Sequence, residues 1–284
     1  MGMAITVGEE FDGISEIYDS TRPAATDAEV RAVSVELADC CTILDVGVGT
    51  GRFSKPLSNL GFEMVGIDLS RKMMLKAKQK GVRNLILADA HRMPFNDGTF
   101  DASIIIHVLH LLPDWLGVVQ EMGRVTKSKV AALLSNGHGE WGMATDASGN
   151  SASTVHSEFW VRYAKLREEM GYPIKRNRRM WQNEAEIRAK LPPMKIKEVS
   201  NEVITTSLGE IMTRFQQRPY SLQRDIPLEV HNQIIQKLLA SPENAGSTGT
   251  EAAAALRNKQ ITRRVIKELA VWRPDQLCLR TVGT

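Results

Sequence analysis

Asp45-Val46-Gly47-Val48-Gly49-Thr50-Gly51 is the stretch of this chain whose residue types and spacing can do chemistry. A β-branched run ends in a carboxylate and passes into glycines at every second position. Glycine there allows a left-handed turn and lets a ligand lie against bare backbone. The helix that follows presents unpaired N–H groups. Asp68 closes a second apolar run 17 residues after Gly51, placed to accept hydrogen bonds from two ribose hydroxyls. Asp89, after a third run, can accept from an adenine amino group. A nicotinamide cofactor would call for G-x-G-x-x-G. The spacing here is G-x-G-x-G, with Asp45 two residues before the first glycine. That carboxylate disfavours a pyrophosphate and suits a cationic amino-acid ligand. His107, His110 and His138 follow a fourth run and are the nearest candidates in sequence for a general base. His110 lies in an apolar stretch, where a core histidine is an equally good reading.

These residues need a scaffold. Thr42–Val46, Phe62–Asp68, Asn84–Asp89, Phe100–Ile106 and Val130–Ser135 read as short strands buried on both faces. Helices fit between them. One runs from Arg52 to Leu60; one is capped by Ser70 and carries Met73, Met74 and Ala77 inward; one is capped by Asp114. Thr26-x-x-Glu29 has the form of a capping box ahead of Val30, Val33 and Leu37. Alternating strand and helix at this length predicts an α/β fold, a doubly wound, mostly parallel sheet. Ligands of such sheets bind outside the carboxyl ends of the strands. Beyond residue 135 the rhythm breaks into a Gly/Ser-rich stretch, an aromatic and basic helical segment and Pro192-Pro193, read as a lid or substrate-facing insertion. Met194–Ile204 and Val265–Trp272 return to strand character, with helices expected at Leu208–Gln216 and Leu228–Leu239. The expected division is 1–40 as a helical cap, 41–135 as the ligand-binding core, 136–192 as the lid insertion and 193–284 as the part completing the sheet.

Composition bounds the function. The chain has 284 residues, 43% hydrophobic, which excludes wholesale disorder. Its formal charge of +3 is too small to imply a polyanionic partner. Cys40, Cys41 and Cys278 form neither a disulfide framework nor a four-ligand zinc site. Free thiols fit a reducing cytosol, so the expected location is the cytoplasm. The first residues resemble no signal peptide, and no apolar run reaches membrane-spanning length.

D-x-G-x-G-x-G at Asp45–Gly51, Gly66-Ile67-Asp68-Leu69-Ser70 and Ala88-Asp89-Ala90 followed by Pro94-Phe95 stand in order and at a spacing that resembles the class I S-adenosylmethionine-dependent methyltransferases. The branch most similar is that of quinone-biosynthesis and other small-molecule enzymes. Tyr18-Asp19-x-x-Arg22-Pro23 and Asp97–Asp101 fit it too. The resemblance covers residues 11–135 and implies a Rossmann-like, seven-stranded sheet. It places Gly47, Gly49 and Gly51 beneath the methionine and ribose of S-adenosylmethionine. It assigns Asp45 to the amino group through the loop, Asp68 to the ribose, Leu69 to the adenine face, and Asp89 with Ala90 to the adenine edge. His107 falls near the sulfonium, and Tyr18 and Arg22 fold over the cofactor, with Arg22 toward its carboxylate.

The reaction implied is in-line methyl transfer to O, N or C of a small organic acceptor. His107 and His110 are the catalytic candidates, and no metal is expected. Ile106–Pro113 lacks the (N/D)-P-P-(Y/F) turn of nucleic-acid amino methylation, and no Pro-Cys occurs for cytosine methylation. A second reading is an RNA or protein methyltransferase docking through Lys175–Arg179, although a basic run on a lid reads first as a solvated face. A third is a non-catalytic S-adenosylmethionine-binding protein. Six aromatic residues from Trp141 to Trp181 line a substrate pocket or form the lid's own core. Monomer and homodimer are both compatible with the sequence.

Overall fold

A computed structural model describes residues 7–22, 24–112, 114–136, 155–173, 186–217, 223, 226–239, 258 and 260–277. Among these, seven strands form one sheet in the order β3-β2-β1-β4-β5-β7-β6. They are β1 (Thr42–Val46), β2 (Glu63–Asp68), β3 (Asn84–Leu87), β4 (Phe100–Ile106), β5 (Thr126–Asn136), β6 (Lys195–Ser207) and β7 (Gln260–Trp272). The pairings β1–β2, β1–β4, β2–β3 and β4–β5 are parallel, as the alternation with helices predicts. Strand order reverses beside β1, so the switch point between β1 and β4 is the place where open α/β sheets hold their ligands.

The chain divides into two compact units. The first comprises Met1–Leu134, Asn177–Ser200 and Lys267–Thr284 and holds the glycine loop. Its strands alternate between two cores. Leu44 and Val46 of β1, Ile105 of β4 and Val130, Ala132 and Leu134 of β5 pack on one face with α6 (Trp115–Val125). Ile43, Ala102, Ile104, Ile106, Ala131 and Leu133 pack on the other, with α3 (Asp27–Glu36) and α4 (Ser54–Asn59). This is the period of 2 of a strand buried on both faces. β3 departs from that expectation: Leu87 is exposed, because β3 ends the sheet and has a neighbour on one side only.

The caps read from sequence form. Thr26 and Glu29 make a reciprocal capping box on α3, Ser70 Oγ accepts from the Met73 amide at the start of α5 (Arg71–Gln79), and Asp114 accepts from Gly117. The helix expected from Arg52 begins at Ser54, because residues 51–53 form a turn.

The second unit comprises Ser135–Arg176 and Asn201–Ile266. Helix α7 (Val155–Glu169) contributes Tyr163, 0% exposed, to a core with Phe215, Ile226 and Ile234. The Tyr163 hydroxyl lies 3.0 Å from His231 Nδ1, and His231 Nε2 lies 3.0 Å from the Phe215 carbonyl. Tyr163 therefore belongs to that unit's own core. His138, Trp141, Trp181, Cys278 and the basic run 175–179 lie outside the described residues, as do the side chains of Phe159 and Trp160. Among the described residues no helix is long and apolar enough to cross a membrane, and no group of three or more acidic, His or Cys residues could hold a metal ion.

Candidate functional site

β1 delivers the chain into a turn in which Gly47, Gly49 and Gly51 all have positive φ, at 73°, 54° and 77°. Each would strain any other L residue. At Gly51 space is also closed, since a Cβ would stand 2.7 Å from Val82 Cγ2. At Gly49 the nearest atom to such a Cβ is Met73 Cε, 3.7 Å away. The loop thus packs down tightly at Gly51, whereas a Cβ at Gly49 would meet only ordinary van der Waals contact. The Gly47 and Val48 amides both donate to the Ile67 carbonyl at 2.9 Å, binding the turn to β2. Val48 seats on Gly66, where a Cβ would come within 2.7 Å of its Cγ2.

Asp68 finishes β2 and reaches back to the same turn. Its Oδ2 accepts from the Gly49 amide at 2.8 Å and its Oδ1 from the Ser70 amide at 2.8 Å. Burial holds its carboxyl above the usual range. Asp45 is 3% exposed and accepts from Ser54 Oγ at 2.6 Å, beneath the loop. Burial pushes its carboxyl up to about 7, and the charge of Asp68 works in the same direction.

Asp89 is exposed beyond β3 and accepts from the His91 amide at 2.9 Å, with His91 Nδ1 at 2.8 Å. Partial burial works upward on Asp89, but the His91 amide and ring outweigh it and hold the carboxyl below its usual value. Ala90 is half-buried at the edge of the core. Leu69, 46% exposed, lies under the amino-terminal segment, where a Cβ on Gly8 would come within 2.7 Å of the Leu69 carbonyl oxygen.

That segment carries α1 (Val7–Asp12) and α2 (Tyr18–Thr21) and is fastened by charge. Asp12 accepts from Ser70 Oγ at 2.6 Å and the Lys72 amide at 2.9 Å. Glu16 pairs with Lys76 at 2.6 Å. Asp19 accepts from Thr50 Oγ1 at 2.7 Å and pairs with Lys80 at 2.6 Å. Sequence analysis missed Asp12, Glu16 and Asp19. The signal was present, since acids at spacings of 4 and 3 face Lys72, Lys76 and Lys80 at spacings of 4. Tyr18 stands edge-on to Phe11 and lies 5.8 Å beneath the Arg22 guanidinium carbon.

β4 is followed by His107, the one non-glycine with positive φ among the described residues, at 58°. Burial pushes its imidazole down to about 3, with the charge of Arg52 and the nearness of His110 adding to the effect and Glu29 opposing it. His110, in the 3₁₀ turn Leu109–Leu111, is pushed down to about 4 by burial and by Arg22. Both rings are uncharged at neutral pH. Behind them Glu29, 1% exposed, takes Lys267 Nζ at 2.7 Å. Cys40 is buried, its thiol pushed up to about 11 by that burial, which makes it inert.

Direct contacts join the glycine loop to Asp68, and the amino-terminal segment that carries Tyr18 reaches the loop through Asp19 and Thr50, and Leu69 through Gly8. Asp45 supports the loop from below.

The methyltransferase-domain family model matches residues 44–134. A demethylmenaquinone methyltransferase of Corynebacterium urealyticum is 32% identical over 127 residues, 43% of this chain and 55% of the relative. A phosphatidylethanolamine N-methyltransferase of Cereibacter sphaeroides is 34% identical over 141 residues, 45% of this chain and 69% of the relative. The chain spans about half the length of the demethylmenaquinone methyltransferase it matches. Among solved structures, the YcgJ protein of Bacillus subtilis aligns over 86% of this chain and 98% of its own, at 21% identity and a TM-score of 0.47. Magnesium protoporphyrin IX methyltransferase of Synechocystis, solved with bound S-adenosylmethionine, aligns over 49% of this chain and 80% of its own, at 17% identity and a TM-score of 0.40. With the strand order, the positive-φ glycine turn closed by Asp68, and the relative matched over 69% of its length, the chain belongs to the class I S-adenosylmethionine-dependent methyltransferases.

Proposed function

We propose that this chain binds S-adenosylmethionine and transfers its methyl group to a small organic acceptor. The observation that carries the reading is the union of Gly49 and Asp68. Bare peptide at a positive-φ glycine is fastened by a 2.8 Å hydrogen bond to the carboxylate that ends β2. The residues fit the cofactor on chemical grounds. An ionised carboxylate has about four lone-pair sites. Asp68 accepts from the Gly49 and Ser70 amides, one on each oxygen, and also from the Leu69 amide, which leaves acceptor capacity for a ribose hydroxyl. Gly47, Gly49 and Gly51 would carry the methionine and ribose. Leu69 would lie against the adenine, with Asp89 and Ala90 at its edge, and Tyr18 and Arg22 would cover the ligand.

When bound, S-adenosylmethionine supplies a methyl group already activated on sulfur, so the protein's work is alignment and exclusion of water. The segment 7–22, held by Asp12, Glu16 and Asp19, covers the loop on one side and keeps solvent from it. His107 and His110 stand uncharged at the end of β4, each with a free lone pair at neutral pH. Imidazoles held this low are weak bases. Their fitting task is to accept a hydrogen bond from the acceptor and orient its nucleophilic atom, and the pair remain the catalytic candidates. In this reading the cytoplasm, where free thiols persist, is the place of action.

Calorimetric titration with S-adenosylmethionine and S-adenosylhomocysteine, with NAD as control, tests the proposal. Saturable binding of the first two and none of NAD is expected. Binding of NAD alone would move the chain to another class. Demethylmenaquinone and phosphatidylethanolamine, the acceptors printed in the relatives' names, are the first two to assay.

A further inference from the structure

His91 stands two residues past Asp89, the carboxylate that the proposed function sets at the adenine edge. Its ring bridges two parts of the first unit. Nδ1 lies 2.8 Å from Asp89 Oδ1, and Nε2 lies 3.2 Å from the Asp114 carbonyl oxygen. Asp114 is itself fixed, since its carboxylate accepts from the Gly117 amide and caps α6. The His91 amide donates to the same Asp89 oxygen at 2.9 Å. Among the described residues both bonds to Asp89 fall on Oδ1, which leaves Oδ2 for a donor from the ligand. The two oxygens that face the ring only accept. Asp89 is ionised at neutral pH, because partial burial, which works upward on its carboxyl, is outweighed by the His91 amide and ring. A backbone carbonyl has no proton to give. A neutral imidazole carries one N–H and can make one of these bonds, whereas an imidazolium carries two and makes both.

Resting on the cofactor reading above, we infer that His91 is the positioning residue of Asp89. Its ring ties the adenine-edge carboxylate to the start of α6, and the tie is complete only in the doubly protonated ring. The other charged groups packed against this loop are engaged elsewhere. Glu121 of α6 accepts from the Met93 amide at 3.0 Å and pairs with Arg124, which also pairs with Asp97. Arg92, next to His91 in the chain, is exposed. Histidine is the side chain that changes charge between about pH 5 and 8. As the ring loses its second proton, one bond of the bridge goes, and Asp89 keeps its binding geometry for a smaller fraction of the time. Apparent affinity falls by that fraction. The ligand group that senses the change is the 6-amino group of adenine, the donor that Oδ2 would receive.

The test compares S-adenosylhomocysteine with its purine analogue, which carries hydrogen in place of the 6-amino group. Each is titrated calorimetrically into the full chain and its His91→Gln, His91→Ala and Asp89→Asn variants. Titrations run at about pH 5.5 and about pH 8.5, either side of the range in which histidine changes charge. Thermal unfolding at both values checks folding. The ratio of the two affinities cancels every titration that does not bear on the amino group, those of His107, His110 and the ligand's amino-acid end included. The unaltered chain should prefer S-adenosylhomocysteine at both values. That preference should shrink by about 2- to 10-fold from the acid to the basic condition, the scale of one hydrogen bond. His91→Gln and His91→Ala should show a weaker preference, the same at both values. Asp89→Asn, whose second polar atom is a donor, should lose most of it. If the unaltered chain's preference is equal at both values, or keeps its pH dependence in both His91 variants, the ring does not position Asp89 and the inference falls. If Asp89→Asn keeps the full preference, the amino group is read elsewhere and the inference falls. If the unaltered chain binds neither ligand, the cofactor reading fails and takes this inference with it.

Discussion

Asp68 and Gly49 are joined by a 2.8 Å hydrogen bond from the Gly49 amide to Asp68 Oδ2. The carboxylate that ends β2 thereby holds the turn that ends β1, and one side chain sets both the shape of the loop and the acceptors offered beside it. Replacing Asp68 by Ala removes both. The Kd for S-adenosylhomocysteine should weaken by about 1–3 kcal/mol, or about 5- to 150-fold. Calorimetry checks this, and unchanged affinity would remove Asp68 from the site.

Gly49→Ala and Gly51→Ala should separate function from folding. Both put an alanine at positive φ, which costs about 1–2 kcal/mol. Only at Gly51 does the new methyl group collide, 2.7 Å from Val82 Cγ2, and overpacking adds about 1–3 kcal/mol. Gly51→Ala should therefore show the larger fall in unfolding temperature. Gly49→Ala should show the smaller fall, that of the backbone strain alone, and yet lose ligand affinity, because its methyl group covers peptide that the ligand meets bare. Equal losses of stability would contradict this division.

Glu29 and Lys267 form a pair in which the acid is buried at 1% exposure. Removing one partner of a buried pair strands the other, at about 3–5 kcal/mol. Glu29→Ala should lose that much by denaturant titration, and adding Lys267→Met should restore most of it. Burial works upward on Glu29, but Lys267 and the Thr26 amide outweigh it and hold the carboxyl below 4.5. A depressed folded value means the pair's contribution is fully present above the unfolded value. It is lost as pH falls through the folded one. The double variant should lack that acid limb.

Asp45 has the opposite sign. Burial raises its carboxyl from 3.8 to about 7, so the native state keeps a proton that the unfolded chain releases. Its favourable contribution is fully present below pH 3.8 and is lost as pH rises toward 7. Between those limits the slope is at most about 1.4 kcal/mol per pH unit. Asp45→Asn keeps an acceptor for Ser54 Oγ and carries no proton to lose. Stability measured against pH should fall across this window in the unaltered chain and run flatter in Asp45→Asn. Parallel profiles would show that Asp45 is ionised in its pocket.

Several features of the site needed only a few adjacent residues to be read. The alternate glycines of residues 47–51 announce positive φ because no other residue adopts it at low cost, and all three have it. Thr26 with Glu29, Ser70 and Asp114 announce helix starts because a cap is made within one turn. The β1, β2 and β4 strands and the parallel sheet follow from apolar periodicity and the helices between.

Other features are settled by residues far apart in the chain. Lys267 meets Glu29 across 238 positions, and no local pattern distinguishes that lysine from its neighbours. Tyr163, one of six aromatic residues open to a pocket or a core, is committed to a core by His231 and Phe215. His107 is legible as a residue after β4, but its left-handed backbone and its uncharged state come from packing around it. Composition and short-range spacing thus determined the turn, its caps and the family it resembles, since those depend on backbone geometry within a few residues. Which acids are paired and which imidazoles are neutral were decided by the tertiary structure, because burial and long-range contact set the energy of a charge.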